Sequence, residues 1–291
     1  MKELGSEKAC IALGYFDSVH LGHRSLIEAA HAYANEHGVV SCVATFCNNA
    51  YKLFNAEDKQ VYTYAERCDL LNDMCDCVLP MRFDARLKNH TAEEFLHGLY
   101  SRHNIKAVVC GYDYLFGAGA KGDATFLKEY SEAHGVDCIV MPQYELDGMR
   151  VSTTKVKSFL ADGKIEQANA MLGAPFMISG KVVHGRGAGR MFDIPTANIK
   201  CSAGKMLPKA GVYGTVCEID GVKHYGATNI GARPTFGISK PAVETMLADF
   251  NDNIYDKEVK LYFHKYLRGV QKFDTPAQLS QQVHKDMEWY K

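Results

Sequence analysis

The hydrophobic rhythm of the chain changes once, near residue 173, and that change constrains the fold more than any motif. Before it, short apolar runs alternate with helical patterns. Ala9–Leu13 reads as a buried strand, and Leu21–His37 as a helix with Leu26, Ala29, Ala30 and Tyr33 on one face and Gly38 as its stop. Further strands are expected at 39–46, 77–80, 106–110 and 136–141, and further helices at 64–74, 91–103 and 123–134. Thr91 and Glu94 carry the spacing of a capping box. Strands that alternate with helices pair in parallel through helical crossovers, so this half is expected to be an α/β layer. Two short helices, 152–160 and 165–172, follow, separated by Gly163. Beyond Gly173-Ala174-Pro175 the pattern is β-rich: strands at Phe176–Val183, Gly211–Ile219, 223–229, 242–249 and 258–263, divided by Gly, Pro and Asp turns, then a helix at 276–289. The expectation is two domains, 1–172 and 173–291, the second a small antiparallel barrel with a terminal helix.

Charge limits the partners. Lys plus Arg is 33 and Asp plus Glu is 34, a formal net charge of −1. No basic excess advertises nucleic acid, so phosphate would be held locally, by backbone amides, helix ends and a few side chains. No run of about 18 apolar residues is present to span a membrane, and the polar start, 1–8, is not that of a signal peptide. Ten cysteines occur without a Cys-x-x-Cys pair, several of them in apolar runs. They read as reduced, mostly buried thiols of a cytoplasmic protein rather than a disulfide framework or a zinc site. Small-molecule partners are expected, with neither nucleic acid nor membrane.

Gly14-Tyr15-Phe16-Asp17-Ser18-Val19-His20-Leu21-Gly22-His23 spans a strand-to-helix junction. His20 and His23, three apart, share one side of the first helical turn. A helix start carries free amides and partial positive charge, which suit phosphate, and Gly22 lets the backbone approach a ligand. Two imidazoles aimed at a triphosphate can stabilise the charge that builds when its α-phosphorus is attacked. Two solvent-exposed histidines are the plain alternative; the strand before, the glycine between and the helix after favour the site. Gly111-Tyr112-Asp113-Tyr114-Leu115-Phe116-Gly117 follows another strand, and Ser152, Thr153, Thr154 and Lys157 open another helix, where hydroxyls cap the helix or meet phosphate.

The second half carries a glycine-rich loop, Gly185, Gly187, Gly189 and Arg190, without the Gly-Lys-Ser/Thr ending of a P-loop. Pro195-Thr196-Ala197-Asn198 follows. In an extended segment Thr196 and Asn198 point the same way, and a hydroxyl plus an amide oxygen suit Mg²⁺. Glu244 sits among apolar neighbours in a strand pattern, as an outward-facing side chain or as a general base.

The first series resembles the His-x-Gly-His nucleotidyltransferases and, more narrowly, the flavin adenylyltransferase half of the bacterial bifunctional riboflavin kinase/FAD synthetases. The second resembles the riboflavin kinase family over nearly all of 176–290, through Pro195-Thr196-Ala197-Asn198, Asn229-Ile230-Gly231-Ala232-Arg233-Pro234-Thr235, the stretch around Glu244, and Leu267-Arg268 with Lys272-Phe273. The resemblance implies a Rossmann-like nucleotidyltransferase domain followed by a kinase barrel. It implies phosphorylation of riboflavin to FMN by ATP and adenylylation of FMN to FAD with release of pyrophosphate, both with Mg²⁺. It implies His20, His23 and Glu244 as catalytic residues. Gly14, Phe16, Asp17, Gly22, Asp113, Ser152, Thr153, Thr154 and Lys157 would contact one ATP. Gly185, Gly187, Gly189, Arg190, Thr196 and Asn198 would contact the other, Thr196 and Asn198 also binding the metal, and Asn229, Arg233 and Arg268 would contact flavin. A monomer or weak homo-oligomer is expected.

The chain departs from the usual family pattern at five places. Ser18 stands for Gly, Asn48-Asn49 lies in the stretch that is usually Pro-His-Pro, Lys157 stands for Arg, and Asp193 and Asp256 stand for Gly. Lys keeps the charge of Arg without its bidentate fork. The first three departures leave open a riboflavin kinase with a weakened adenylyltransferase domain. A non-catalytic flavin-binding regulator is the alternative from another class.

Overall fold

The computed structural model describes residues 2–53, 59–184, 196–232, 241–248, 250 and 252–290. It forms two compact units, Met1–Thr153 and Thr154–Lys291.

The first unit is built on a six-stranded parallel sheet. Its strands are β1 (Lys2–Glu3), β2 (Ala9–Leu13), β3 (Val40–Phe46), β4 (Cys77–Met81), β5 (Ile105–Gly111) and β6 (Asp137–Met141). They lie in the order β1-β4-β3-β2-β5-β6. Every residue of β2 is buried, as a central parallel strand covered on both faces must be. Helices α1 (Leu21–His37), α2 (Tyr64–Leu71), α3 (Ala85–Asn89), α4 (Ala92–Arg102) and α5 (Ala124–Ala133) connect the strands. Gly38 ends α1 with φ 65°, its N–H donating to the Ala34 carbonyl, a left-handed stop that glycine adopts without penalty. The capping box at Thr91 and Glu94 is present, and a second one, Thr63 with Glu66, starts α2. Leu96, Leu99 and Leu127 pack on Ile11, Ala44 and Val108 in one apolar core. The strand order reverses between β2 and β5, so a crevice opens at their carboxyl ends, where open α/β sheets bind ligands. A small hairpin follows, β7 (Glu145–Leu146) and β8 (Met149–Arg150), turned by Asp147 (φ 51°) and Gly148 (φ 73°). Asp-Gly is a strong hairpin signal, and this hairpin was not among the elements expected from the sequence.

The second unit begins within α6 (Thr153–Asp162) and continues through α7 (Ile165–Leu172). These helices precede the change of rhythm at 173 yet are tied to the barrel. Asn169 donates to the Phe263 carbonyl at 2.8 Å and accepts from the Phe176 N–H at 2.7 Å. The Lys209 N–H donates to the Leu160 carbonyl at 2.9 Å. The compact unit therefore starts earlier than the β-rich pattern. Six antiparallel strands close the barrel: β9 (Phe176–Val183), β10 (Thr196–Cys201), β11 (Gly211–Ile219), β12 (Val222–Ala232), β13 (Pro241–Leu247) and β14 (Glu258–Arg268), in the order β10-β13-β12-β11-β14-β9. Closure leaves no open sheet edge. The hydroxyls of Thr215, Thr228 and Thr245, all fully buried, link β11, β12 and β13 at 2.7 and 2.9 Å. Helix α8 (Pro276–Asp286) starts with proline and a Thr275–Gln278 capping box. A 3₁₀ turn, Met287–Tyr290, then sets Trp289 on the barrel, where Nε1 donates to the Gly226 carbonyl at 2.8 Å. A Cβ at Gly214 would lie 2.4 Å from the indole, so this seat requires glycine.

Candidate functional site

In the first unit the chain leaves β2 through Gly14 and turns sharply into α1. Phe16 (φ 52°) and Val19 (φ 44°) both adopt the left-handed region, unusual for an aromatic and more so for a β-branched residue. Such strain persists only where the surroundings enforce it. Here they do. Asp17 is buried, accepting from the Val61 N–H at 2.9 Å and from the Tyr51 hydroxyl at 3.1 Å. Phe16 is fully buried with its ring 5.2 Å from that of His23, edge to face. Both side chains, expected among the nucleotide contacts, help to hold the loop. Gly14 and Gly22 are tight: a Cβ would lie 3.0 Å from the Phe16 ring at Gly14, and 3.2 Å from the His20 ring at Gly22.

His20 is the N-cap of α1. Its Nδ1 accepts from the His23 N–H at 3.0 Å. The accepting nitrogen carries no proton, so the neutral ring holds its proton on Nε2 and presents a donor there. The two rings stack with centroids 3.6 Å apart. Burial pushes His20 down to about 4, and burial also holds His23 well below the ordinary histidine range, with the His20 and Arg67 charges acting the same way. Both are neutral near pH 7, so they can donate hydrogen bonds but carry no fixed charge.

Around this pair the structure adds groups beyond those expected. Arg150, from β8, forms an ion pair with Asp113 and lies 5.5 Å over the Tyr112 ring, and both charges act on His20. Arg150 directly precedes Val151-Ser152, but nothing in the local spacing distinguishes it; only the hairpin brings it to Asp113. Ser18 Oγ and Thr153 Oγ1 share a hydrogen bond of 2.9 Å. Ser152 and Thr154 flank Thr153 at the start of α6, and Lys157 lies one turn further along that helix. Asn48 donates to the Phe83 carbonyl and accepts from the Phe83 N–H, both at 2.8 Å, so an amide side chain holds a loop where the family usually has proline. The ring of Phe46 lies 5.6 Å from Tyr15 and 4.8 Å from Phe83. Beyond Phe83 is a groove of about 290 Å³ with an apolar floor of Leu79, Met81, Phe95 and Leu99 and a charged margin of mixed sign, Arg82, Arg86 and Arg102 with Asp84 and Glu94.

In the barrel the register assembles the site. Asn198 on β10 faces Glu244 on β13, and Glu244 faces Asn229 on β12. Residues directly opposite in an antiparallel pair share a face, so the three side chains form one row. Thr196, two residues before Asn198, lies on the same face. Thr245, next to Glu244, belongs to the buried threonine ladder, so the row faces outward from the barrel. Through Val212 the row continues to Arg268 on β14. The Arg268 guanidinium, however, grips Asp286 of α8, with Nη2–Oδ2 at 2.7 Å and Nε–Oδ1 at 3.0 Å, and stands over the Phe273 ring. It was expected at the flavin; the structure has it anchoring the terminal helix. Gly185, Gly187, Gly189, Arg190, Asp193 and Arg233 lie outside the described residues.

Comparison with known proteins finds a separate family in each half of the chain. An FAD synthetase family model matches residues 3–155, and a riboflavin kinase model matches residues 172–291. The chain belongs to the bifunctional riboflavin kinase/FMN adenylyltransferase family. The member from Pseudomonas fluorescens is 33% identical over 285 residues, 96% of this chain and 91% of that protein. The member from Escherichia coli K12 is 32% identical, over 98% of this chain and 93% of its own length. That of Bacillus subtilis is 30% identical, over 96% and 90%. A solved structure described as a macrolide-efflux protein from Streptococcus pneumoniae superposes with a TM-score of 0.88 at 30% identity, over 98% of this chain and 94% of that one. Among the described residues of the present chain, no helix is long and apolar enough to cross a membrane.

Proposed function

We propose that residues 173–291 transfer the γ-phosphate of ATP to riboflavin and that residues 1–172 transfer AMP from a second ATP to the FMN so formed. In the first reaction Glu244 takes the proton of the ribityl 5′-hydroxyl as that oxygen bonds to the γ-phosphorus; the bond from the γ-phosphorus to the β-bridging oxygen breaks and ADP leaves. In the second, an FMN phosphate oxygen bonds to the α-phosphorus and pyrophosphate departs. The Nε2–H of neutral His20, with His23 stacked behind it, donates to the phosphate oxygens where charge accumulates. No protein nucleophile is required. Thr153, Thr154 and Lys157 add donors and charge for the polyphosphate. The groove beyond Phe83 offers FMN an apolar floor for its ring system, with Arg82, Arg86 and Arg102 on a rim that also carries Asp84 and Glu94.

The Thr196 hydroxyl and the Asn198 amide oxygen are hard oxygen donors on one face and would suit Mg²⁺, leaving the Glu244 carboxylate to act as base. When bound, the ion would offset phosphate charge. Asn229 is placed to orient the flavin. We place the enzyme in the cytoplasm, as a monomer or weak homo-oligomer acting on small molecules.

The observation that carries this reading is the Asn198–Glu244–Asn229 row, which joins three separate sequence motifs through strand register alone. The test is a timed separation of flavins from purified protein with ATP and Mg²⁺, starting once from riboflavin and once from FMN. FMN followed by FAD is the expected result. FMN without FAD, even from added FMN, would leave only the kinase half of the proposal standing.

A further inference from the structure

Among the described residues, three buried side-chain nitrogens lack a hydrogen-bond partner: Nδ1 of His23, and Nε and Nη1 of Arg67. Two consecutive residues link them: Tyr15 packs on Arg67, and Phe16 packs on His23 with ring centroids 5.2 Å apart. Arg67, on α2, is fully buried. Its Nη2 donates to the Phe46 carbonyl, and its guanidinium lies 4.9 Å from the Tyr15 ring centroid and 5.9 Å from that of Tyr64. No carboxylate among the described residues pairs with it. The neighbouring Glu66 closes the capping box with Thr63, and Asp17 holds the loop through Val61 and Tyr51.

A buried cation without a counter-charge costs several kcal/mol. The two tyrosine faces offset part of that cost. What remains is a positive charge held inside the unit, behind the wall formed by Tyr15 and Phe46. We infer that Arg67 is a further positioning residue of the adenylyl-transfer site, a fixed buried cation whose charge is balanced when the triphosphate of ATP, or the departing pyrophosphate, occupies the pocket of His20 and His23. The inference rests on the adenylyl-transfer reading above.

The arrangement solves a specific problem. A site for a polyphosphate needs positive potential, yet His20 and His23 are buried and neutral. The charged groups facing the pair are Arg67 from α2, Asp113 after β5 and Arg150 on β8. Arg150 is already paired with Asp113. Arg67 therefore supplies the uncompensated charge. Its charge opposes protonation of His23. Being fully buried, it acts through the field at the pocket and through the Tyr15–Phe46 wall rather than by touching the nucleotide.

The test uses the full-length chain with Arg67→Met, which keeps bulk and removes charge, and Arg67→Lys, which keeps charge. FAD formation from added FMN should show a KM for ATP about tenfold higher in Arg67→Met, with a smaller change in kcat. Arg67→Lys should recover most of that loss. Riboflavin phosphorylation should stay within about twofold of the wild type in both. The acidic limb of the FAD-forming pH profile should move to higher pH in Arg67→Met, because the cation that resists His23 protonation is gone, and a merely structural role would not move it.

A folded Arg67→Met protein with wild-type KM and an unmoved acidic limb would overturn the inference. Equal loss in Met and Lys variants would also overturn it, because shape rather than charge would then matter. If Arg67→Met does not fold, the wild type is titrated with inorganic pyrophosphate while the Arg67 Nε–H resonance is followed. Movement supports the inference and a stationary signal overturns it. This arm needs no turnover, so it still judges Arg67 if the wild type proves unable to form FAD.

Discussion

The two units place their phosphate-handling groups by different constructions. In the α/β unit those groups hang from loops after the strands, and side chains of the loops fasten them: Asp17 to the Val61 N–H and the Tyr51 hydroxyl, Asn48 to the Phe83 backbone, Ser18 to Thr153. In the barrel, Asn198, Glu244 and Asn229 come from strand interiors, and backbone register alone aligns them. A loop site can exchange one fastening for another. A row cannot, because a one-residue slip turns every side chain to the opposite face. The departures from the family pattern follow this contrast. Ser18, Asn48, Asn49 and Asp256 lie in loops, Lys157 in a helix, and none falls on the barrel row. Asp256 adopts φ 67°, the conformation a glycine would take at that turn.

The sharpest way to break the comparison is Glu244→Ala. FMN formation should fall by about a thousandfold, as expected for loss of a general base, while conversion of added FMN to FAD continues. Equal loss of both activities, measured by flavin separation, would contradict two independent sites. Next in size is His23→Ala. FAD formation should drop by about a hundredfold, in the range for removal of a transition-state donor, and riboflavin phosphorylation should be spared. A defect in both would show that the halves do not work separately.

A smaller effect concerns stability. Folding holds His20 down at about 4 against an ordinary 6.5, and His23 lower than ordinary as well. The unfolded chain therefore binds more protons as pH falls below 6.5. Stability should be fully present above that pH and decline by about 1.4 kcal/mol per pH unit for each histidine towards the folded-state value. Urea unfolding at stepped pH reads this, and His23→Ala should flatten the slope; an unchanged slope would mean that His23 is not held neutral. The smallest effect is expected for Ser18→Ala. Loss of one hydrogen bond, about 1 kcal/mol, should raise the KM for ATP in FAD formation by about fivefold at most. No change would show that Thr153 is positioned without Ser18.

The layer fold, the barrel and most strands were legible because burial imposes periodicity, and the alternation of β2, α1 and β3 is a direct record of which faces are covered. The histidine pair was legible for the same reason, since strand, glycine and helix are local features. Arg67 and Arg150 were not. Neither has a local pattern that sets it apart, and each acquires meaning only when α2 or the β7–β8 hairpin brings it to the crevice. The second compact unit begins before the change of rhythm for a similar reason: α6 and α7 have helical rhythm, and their attachment to the barrel rests on bonds between residues distant in sequence, Asn169 to Phe263 and Lys209 to Leu160. The ion pair of Arg268 was not legible, because its partner, Asp286, belongs to the last helix.

Trp289 is the only tryptophan in the chain, and it rests in the place that Gly214 leaves open, with His264 stacked 5.6 Å away. Indole emission is therefore a built-in optical reporter of one half of the protein. A red shift on heating or in urea marks the terminal helix lifting from the barrel, whereas tyrosine absorbance changes throughout the molecule. Comparing the two signals tells whether the kinase half melts with the rest or by itself, without any label.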